Sequence, residues 1–274
     1  MNPHEHEGTP DHQRRPRRVT AHLLHTTPQG TVTAAHSVRV NFADDPQALL
    51  RAHADLPPTT AITPLDTRTE LATTTDPATG ARLAMHIDRL CYTTPTPAGP
   101  AIPLDQALTR LHHDLPARAL TDHEPPRPTL ALRRFCAYGL VTDPAGRILL
   151  SRIAPGFPGA GTWHLPGGGT DHGEDTHTAL TREITEETGQ DATPGRLITI
   201  THHHRTNQTG PDGTTGEIYA VWVFLSAYVA RPCTPRVTET AGSTVDASWF
   251  TPQELAGLTL STTARQAITQ QHRS

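Results

Sequence analysis

The chain contains no lysine: all 23 of its Lys and Arg positions are arginine. Arginine codons are on balance richer in G and C, so this absence reads as genomic composition rather than as selection for function. Cysteine is scarce and unpaired. Cys91, Cys136 and Cys233 are three in number and form no CxxC pair, which argues against a disulfide scaffold or a zinc ribbon and fits a reducing compartment. Aromatic residues make up only 4% of the chain, so any core must rely on aliphatic side chains. No apolar run reaches the length of a membrane span. Arg14, Arg15, Arg17 and Arg18 could open an export signal, but Ala21 to Leu24 gives way at once to His25, Thr26 and Pro28, too short for a signal core. A cytoplasmic protein without a membrane partner is the expectation. A formal net charge of −4 argues against a module that holds a nucleic acid polymer by non-specific phosphate attraction.

What is present is 274 residues at 35% hydrophobic composition, enough for one large domain or two small ones. Residues 1–18 are His, Glu, Pro and Arg without periodicity and read as a disordered tail. Residues 19–120 read as a small α+β accessory domain of unknown role, with no catalytic motif. Its expected elements are strands over Val19–His25 and Thr31–Phe42 around a turn at Pro28, a helix over Pro46–His53 capped by Asp44 or Asp45, a strand over Leu83–Tyr92 and a helix over Leu104–His113. Thr- and Pro-rich sequence lies between them. Residues 121–129 hold Pro125, Pro126 and Pro128 and read as a linker.

From residue 130 to 274 the pattern sharpens. Phe135–Val141 and Ile148–Ile153 flank an Asp143–Gly146 turn, a hairpin signature. A Gly- and Pro-rich loop leads to a helix over Asp175–Thr188, which Gly189 should stop. Strands are expected over Leu197–Thr201, Ile218–Val229 and Ala247–Phe250, and helices over Pro252–Ala256 and Thr262–Gln270. This mixture of strands and helices predicts an α/β fold with a mixed sheet between helices.

The chemistry concentrates between Gly168 and Gly189. Glu183 is followed by Glu186 and Glu187, at i+3 and i+4, so the three carboxylates project from one side of the predicted helix. Like charges at that spacing cost roughly 0.2–0.5 kcal/mol per pair. They also lie near the negative end of the helix dipole, which disfavours each by about 0.3–1 kcal/mol. A divalent cation among them reverses the sign of the arrangement, and Mg²⁺ takes hard oxygen ligands. A solvated acidic face is the competing reading of three glutamates alone. Gly167, Gly168 and Gly169 allow close backbone approach to a ligand. Arg182, beside Glu183, can fork onto carboxylates.

Gly168, Glu174, Arg182, Glu183, Ile184, Glu186, Glu187 and Gly189 resemble the Nudix box, with five residues between the first two and seven between Glu174 and Arg182. The preceding Gly161–Gly168 run resembles the family's approach to the box. One departure is Gln190, where the family usually has an aliphatic residue. The resemblance covers about residue 130 onward and implies a Nudix-type α/β/α sandwich preceded by the accessory domain.

It further implies Mg²⁺, or Mn²⁺, held by Glu183, Glu186 and Glu187 with the carbonyl of Gly168, and with Glu174 binding weakly or from outside. Arg182 would orient the glutamates. The activity implied is hydrolysis of a diphosphate bond in a nucleoside diphosphate linked to another group, a small-molecule substrate. The general base is implied to be a box glutamate or a late-loop acid, with Glu239 and Asp246 as candidates. Arg152, Trp163, His202 and His204 are candidate substrate contacts, against surface pairing for Arg152. The alternative is a Nudix-fold sensor that binds ligand without turnover. Isomerisation on the same fold lacks a paired Cys and Glu outside the box. A homodimer is one assembly compatible with the resemblance.

Overall fold

The computed structural model describes residues 17–27, 29–75, 80–95, 102–111, 124, 130–209, 215–239 and 242–271. The expected tail lies outside these up to residue 16. The expected linker lies outside them except for Glu124.

The first sheet contains β1 (Arg17–Thr26), β2 (Thr31–Val40), β3 (Thr63–Thr75), β4 (Arg82–Pro95) and β5 (Ile102–Pro103), in the order β3-β4-β1-β2-β5. The turn into β2 pairs it antiparallel with β1, whereas β4 returns parallel to β1. Helix α1 (Pro46–His53) starts where Asp45 accepts from the amides of Gln47 and Ala48, a side-chain N-cap that settles the choice between Asp44 and Asp45. Helix α2 covers Leu104–Arg110, and His112 and His113 of the expected helix lie outside the described residues. Strand β3 runs through the Thr- and Pro-rich sequence between the expected elements, to which none was assigned. Its threonines read as polar by composition, but a β-branched side chain favours extended backbone. Its edge position accommodates Pro64.

The second sheet contains β6 (Leu130–Thr142), β7 (Ile148–Ile153), β10 (Thr193–Thr209), β11 (Thr215–Tyr228) and β12 (Thr244–Phe250), ordered β10-β11-β6-β7-β12. Two short strands pair off this path: β8 (Trp163–His164) with β7, and β9 (Gly167–Gly169) with β6. The β6–β11 pair is parallel and its neighbours are antiparallel, so the sheet is mixed as expected. Strand β10 extends well beyond the expected Leu197–Thr201. The expected helix over Pro252–Ala256 is a single 3-10 turn, Glu254–Gly257.

Helix α3 (Thr176–Thr188) and helix α4 (Thr262–Gln271) cover opposite faces of this sheet. Ala179, Leu180 and Ile184 of α3 pack with Phe135, Ala137, Val221 and Val223. Ala264, Ala267 and Ile268 of α4 pack with Leu140 and Phe224. The alternation of β6 and β11 sends successive residues to opposite faces. Gly189 ends α3 in the left-handed region at φ 66°, a conformation glycine adopts without a Cβ penalty.

The first sheet is not merely tethered to the second. Val19, Ala21, Leu23, Leu90 and Tyr92 belong to the same hydrophobic cluster as α3 and the inner face of the second sheet. Tyr219 donates its hydroxyl to the carbonyl of Asp44 at 2.7 Å. Glu124 accepts from Arg133 of β6 at 2.6 Å and from the amide of Phe42 at 3.0 Å.

Candidate active site

Asp175 caps α3 by accepting from the amides of His177 and Thr178, both at 2.9 Å. The helix therefore begins directly after Glu174. Two turns on, Arg182 stands at the centre of the box. Its Nε and Nη2 donate to the two oxygens of Glu174 at 3.0 and 2.9 Å, and Nη2 also reaches the carbonyl of Gly169 at 2.8 Å. Its Nη1 donates to Glu183 Oε1 at 2.9 Å and to Glu186 Oε2 at 3.2 Å. Two carboxylates thus converge on one cationic nitrogen. The hydrogen bonds that Arg182 donates to Glu174 raise its pKa against the cost of burial. Burial works against ionisation of Glu174, but the Arg182 fork and the Asp171 amide hold its pKa below the ordinary value.

Glu183 lies over the backbone of Gly168. A Cβ on Gly168 would sit 2.6 Å from Glu183 Oε1 and 2.7 Å from Oε2, so only glycine leaves that carboxylate its place. Burial raises the Glu183 pKa, and Arg182 opposes the rise.

Glu187 differs from its two companions. Its residue exposure is 3%, against 43% for the Glu186 side chain. Its Oε2 accepts from Ser151 at 2.9 Å and from the Gly167 amide at 3.0 Å, and its Oε1 accepts from Thr244 at 2.6 Å. Three separate strands hold it. Burial pushes its pKa up to about 7, against the hydrogen bonds from Thr244, Gly167 and Ser151, which lower it. The expectation that all three glutamates share one face holds only loosely. Glu187 follows Leu180 by seven residues, within about 20° on the helical wheel, and so falls in the buried stripe.

The loop after β11 returns over the C-terminal end of α3. The amides of Thr238 and Glu239 donate to the Glu186 carbonyl at 2.8 and 3.1 Å, and that of Arg236 to Thr188 at 2.9 Å, satisfying carbonyls a helix end leaves open. Glu239 is thereby brought to the box, and its charge contributes to the raised pKa of Glu183. Its Oε1 accepts from the Thr244 amide at 3.1 Å. Asp246, in contrast, is exposed on β12 opposite Arg152 and accepts from the Ala247 amide at 2.8 Å.

The other candidates are scattered. Arg152 is exposed on β7, with Nε 3.4 Å from the Gly161 carbonyl. Trp163 packs edge-on against Phe250, ring centroids 4.8 Å apart, within the cluster under α4. His204 pairs with Glu217 at 2.7 Å and stands edge-on to Phe42 of the first half. His202 lies on the same face, near Tyr219, whereas His203 faces the other way over Trp222. Gln190 is buried, and its amide exchanges hydrogen bonds with the main chain of Cys233 at 3.0 and 3.2 Å. The departure from an aliphatic residue is therefore matched by polar partners. Ser151 and Thr244, which hold Glu187 together with the Gly167 amide, had no signal in the sequence. Neither did His164, which stacks on Tyr138 and whose pKa burial pushes down to about 4.

Among the described residues no group of three or more His, Cys, Asp and Glu side chains closes around a common point. The box donors are nonetheless all hard oxygens beside a glycine cradle. Two carboxylates already share one cation, the Arg182 guanidinium. This donor set fits Mg²⁺ or Mn²⁺.

An α/β/α sandwich in which one covering helix presents an Arg-bridged set of carboxylates to a glycine loop is an arrangement suited to hydrolysis of phosphate compounds. The family description "NUDIX domain" matches residues 132–271, just over half of the chain. Nucleoside triphosphatase NudI of Escherichia fergusonii is 32% identical over 127 residues, covering 45% of this chain and 86% of that protein. The MutT protein from Methanosarcina mazei Go1 is similar in structure at 23% identity and TM-score 0.40, over 52% of this chain and 95% of that one. The MutT NUDIX hydrolase from Burkholderia pseudomallei aligns at 28% identity and TM-score 0.37, over 50% and 97%. This chain belongs to the Nudix family and is a Nudix hydrolase. Residues 1–131 lie outside the family match. No helix among the described residues is long and apolar enough to cross a membrane.

Proposed function

We propose that this enzyme hydrolyses a diphosphate bond in a nucleoside diphosphate linked to another group, with Mg²⁺ or Mn²⁺ at the box. The observation that carries the reading is the convergence of Glu183 Oε1 and Glu186 Oε2 on Arg182 Nη1, at 2.9 and 3.2 Å. Arg182 brings one positive charge to three carboxylates, Glu174, Glu183 and Glu186, so the cluster keeps a net negative charge that a divalent cation would offset. Glu183 and Glu186 would hold the metal with the carbonyl of Gly168, Glu187 would join them on exchanging one of its protein donors for the ion, and Glu174 would hold Arg182. The metal, when bound, supplies Lewis-acid charge stabilisation and a nucleophilic water at neutral pH.

The protein's own groups do the rest. Arg182 keeps Glu183 and Glu186 aimed at one point. Gly168 lets the Glu183 carboxylate approach the loop. Glu187 keeps its acceptors engaged, and its one stationary donor is the Gly167 amide on Oε2. A proton on Glu187 therefore belongs on Oε1, which then donates to Thr244 as that hydroxyl turns around. Of the two late-loop acids, Glu239 is the base we favour, because it lies against the box end of α3 while Asp246 faces away with Arg152.

The test is product analysis with Mg²⁺ across nucleoside triphosphates, sugar nucleotides, dinucleotides and cofactor diphosphates. Nucleoside triphosphates belong in the panel because a relative is named a nucleoside triphosphatase. Phosphate- or nucleotide-containing products from one class support the reading. Ligand binding without products, in metal-loaded protein, favours a sensor instead.

A further inference from the structure

We infer that Arg17, His86 and Asp88 of the first sheet are positioning residues for the Nudix box, so that the first half of the chain is a working part of the active site. This rests on the reading of the box as a divalent-cation site.

The loop between Gly169 and Glu174 is gripped from two sides. From the box side, Arg182 donates to Gly169 and Glu174, and the Asp171 amide donates to Glu174 Oε2 at 2.9 Å. From the other side come residues far away in sequence. Arg17 donates to the Thr170 carbonyl at 2.6 Å and to the Thr170 hydroxyl. The Gly173 amide donates to His86 Nδ1 at 2.8 Å. An amide cannot accept, so His86 Nδ1 is the bare nitrogen and Nε2 carries the proton. That proton goes to Asp88 Oδ1 at 2.9 Å. Arg17 completes the set with a fork onto Asp88, Nε to Oδ2 at 2.6 Å and Nη2 to Oδ1 at 3.1 Å. His86 is 0% and Asp88 1% exposed.

The buried His86 and Asp88 have all their polar atoms paired, Arg17 reaches them from a half-buried position, and the two outputs of the network land on Thr170 and Gly173. Between those contacts and Arg182 the loop has little freedom. A shift of Gly173 carries Glu174 with it, then the Arg182 fork, then Glu183 and Glu186. Docking alone does not call for such a network. The shared hydrophobic cluster already joins the sheets, and a buried ion pair adds little net stability over apolar packing. Buried polar groups around a ligating shell serve instead to fix its geometry.

The test uses the full chain with Mn²⁺ as probe, its affinity read from the EPR signal of free ion, alongside kcat/KM, Tm and amide exchange of residues 170–174. His86→Ala should weaken Mn²⁺ binding and kcat/KM by about 10-fold or more and speed exchange at Gly173 even without metal. His86→Gln, whose amide offers one acceptor and one donor, should recover most of the loss. Tyr219→Phe removes an inter-sheet hydrogen bond away from the loop; it should lower Tm while leaving Mn²⁺ affinity as in the wild type. If His86→Ala does not fold, Arg17→Lys replaces it, since a single ammonium cannot span Asp88 and Thr170. Wild-type Mn²⁺ affinity and exchange in these variants, or equal losses in Tyr219→Phe, overturn the inference. Glu186→Gln separates the two readings. If it weakens Mn²⁺ binding and His86→Ala does not, only the positioning role fails. If the wild type takes up no Mn²⁺, the box reading fails and takes this inference with it.

Discussion

Thr244 donates its hydroxyl to Oε1 of Glu187 across 2.6 Å, deep under the end of α3. That contact belongs to a carboxyl whose pKa burial raises from 4.5 to about 7. A folded-state pKa above the unfolded one means that the folded state holds the proton more tightly. The stabilisation is complete below pH 4.5 and is lost as pH rises through about 7. In metal-free protein, unfolding free energies of wild type and Glu187→Gln should therefore diverge with pH. The wild type should lose roughly 3 kcal/mol relative to the variant between pH 4.5 and 8. Chemical denaturation of both at several pH values checks this, and a constant difference would contradict it.

Glu186 stands at the other extreme, with 43% of its side chain exposed. Glu186→Gln should lower kcat by about 100-fold or more. Stability should change by less than about 0.5 kcal/mol, with relief of repulsion acting in its favour. Steady-state kinetics and a melting curve of the same preparation measure both.

Arg182→Ala leaves Glu174 and Glu183 without their shared cation, and both side chains are largely shielded, at 12% and 13% exposure. A loss of roughly 1.5–3 kcal/mol is expected near neutral pH, the range for hydrogen bonds to charged groups. Arg182 holds the Glu174 pKa below its ordinary value, so this contribution is present above the unfolded pKa and fades as pH falls through the folded one. The gap between wild type and variant should narrow on acidification, as unfolding curves at pH 7 and pH 4 would show.

Gly168→Ala places a Cβ 2.6 Å from Glu183 Oε1. The carboxylate must move, so kcat/KM in saturating Mg²⁺ should fall by about 10-fold or more, with circular dichroism unchanged.

The glutamate spacing, the Arg182 clamp and the Gly189 stop were legible because each is local and periodic. The burial of Glu187 was legible too: Leu180, Ile184 and Glu187 run i, i+4, i+7, the spacing of a core stripe. Grouping it with Glu183 and Glu186 by charge obscured that. Strand β3 was hidden by composition, since threonine counts as polar yet favours extended backbone. The contacts of Arg17 with Thr170 and of His86 with Gly173 span 153 and 87 residues. No spacing rule reaches that far, and only packing of the two sheets brings them together. The separation of Glu239 from Asp246 likewise depends on a loop folding back over a helix end. His204, a candidate substrate contact, meets Phe42 because the first half covers that face.

The most direct measurement is calorimetric titration of Mg²⁺ into the wild type and into Glu183→Gln/Glu186→Gln. Uptake of the ion by the wild type, abolished in the double variant while both proteins melt cooperatively, is the expected result. Identical heats from the two proteins, or none from either, would contradict the reading of these side chains as a cation site.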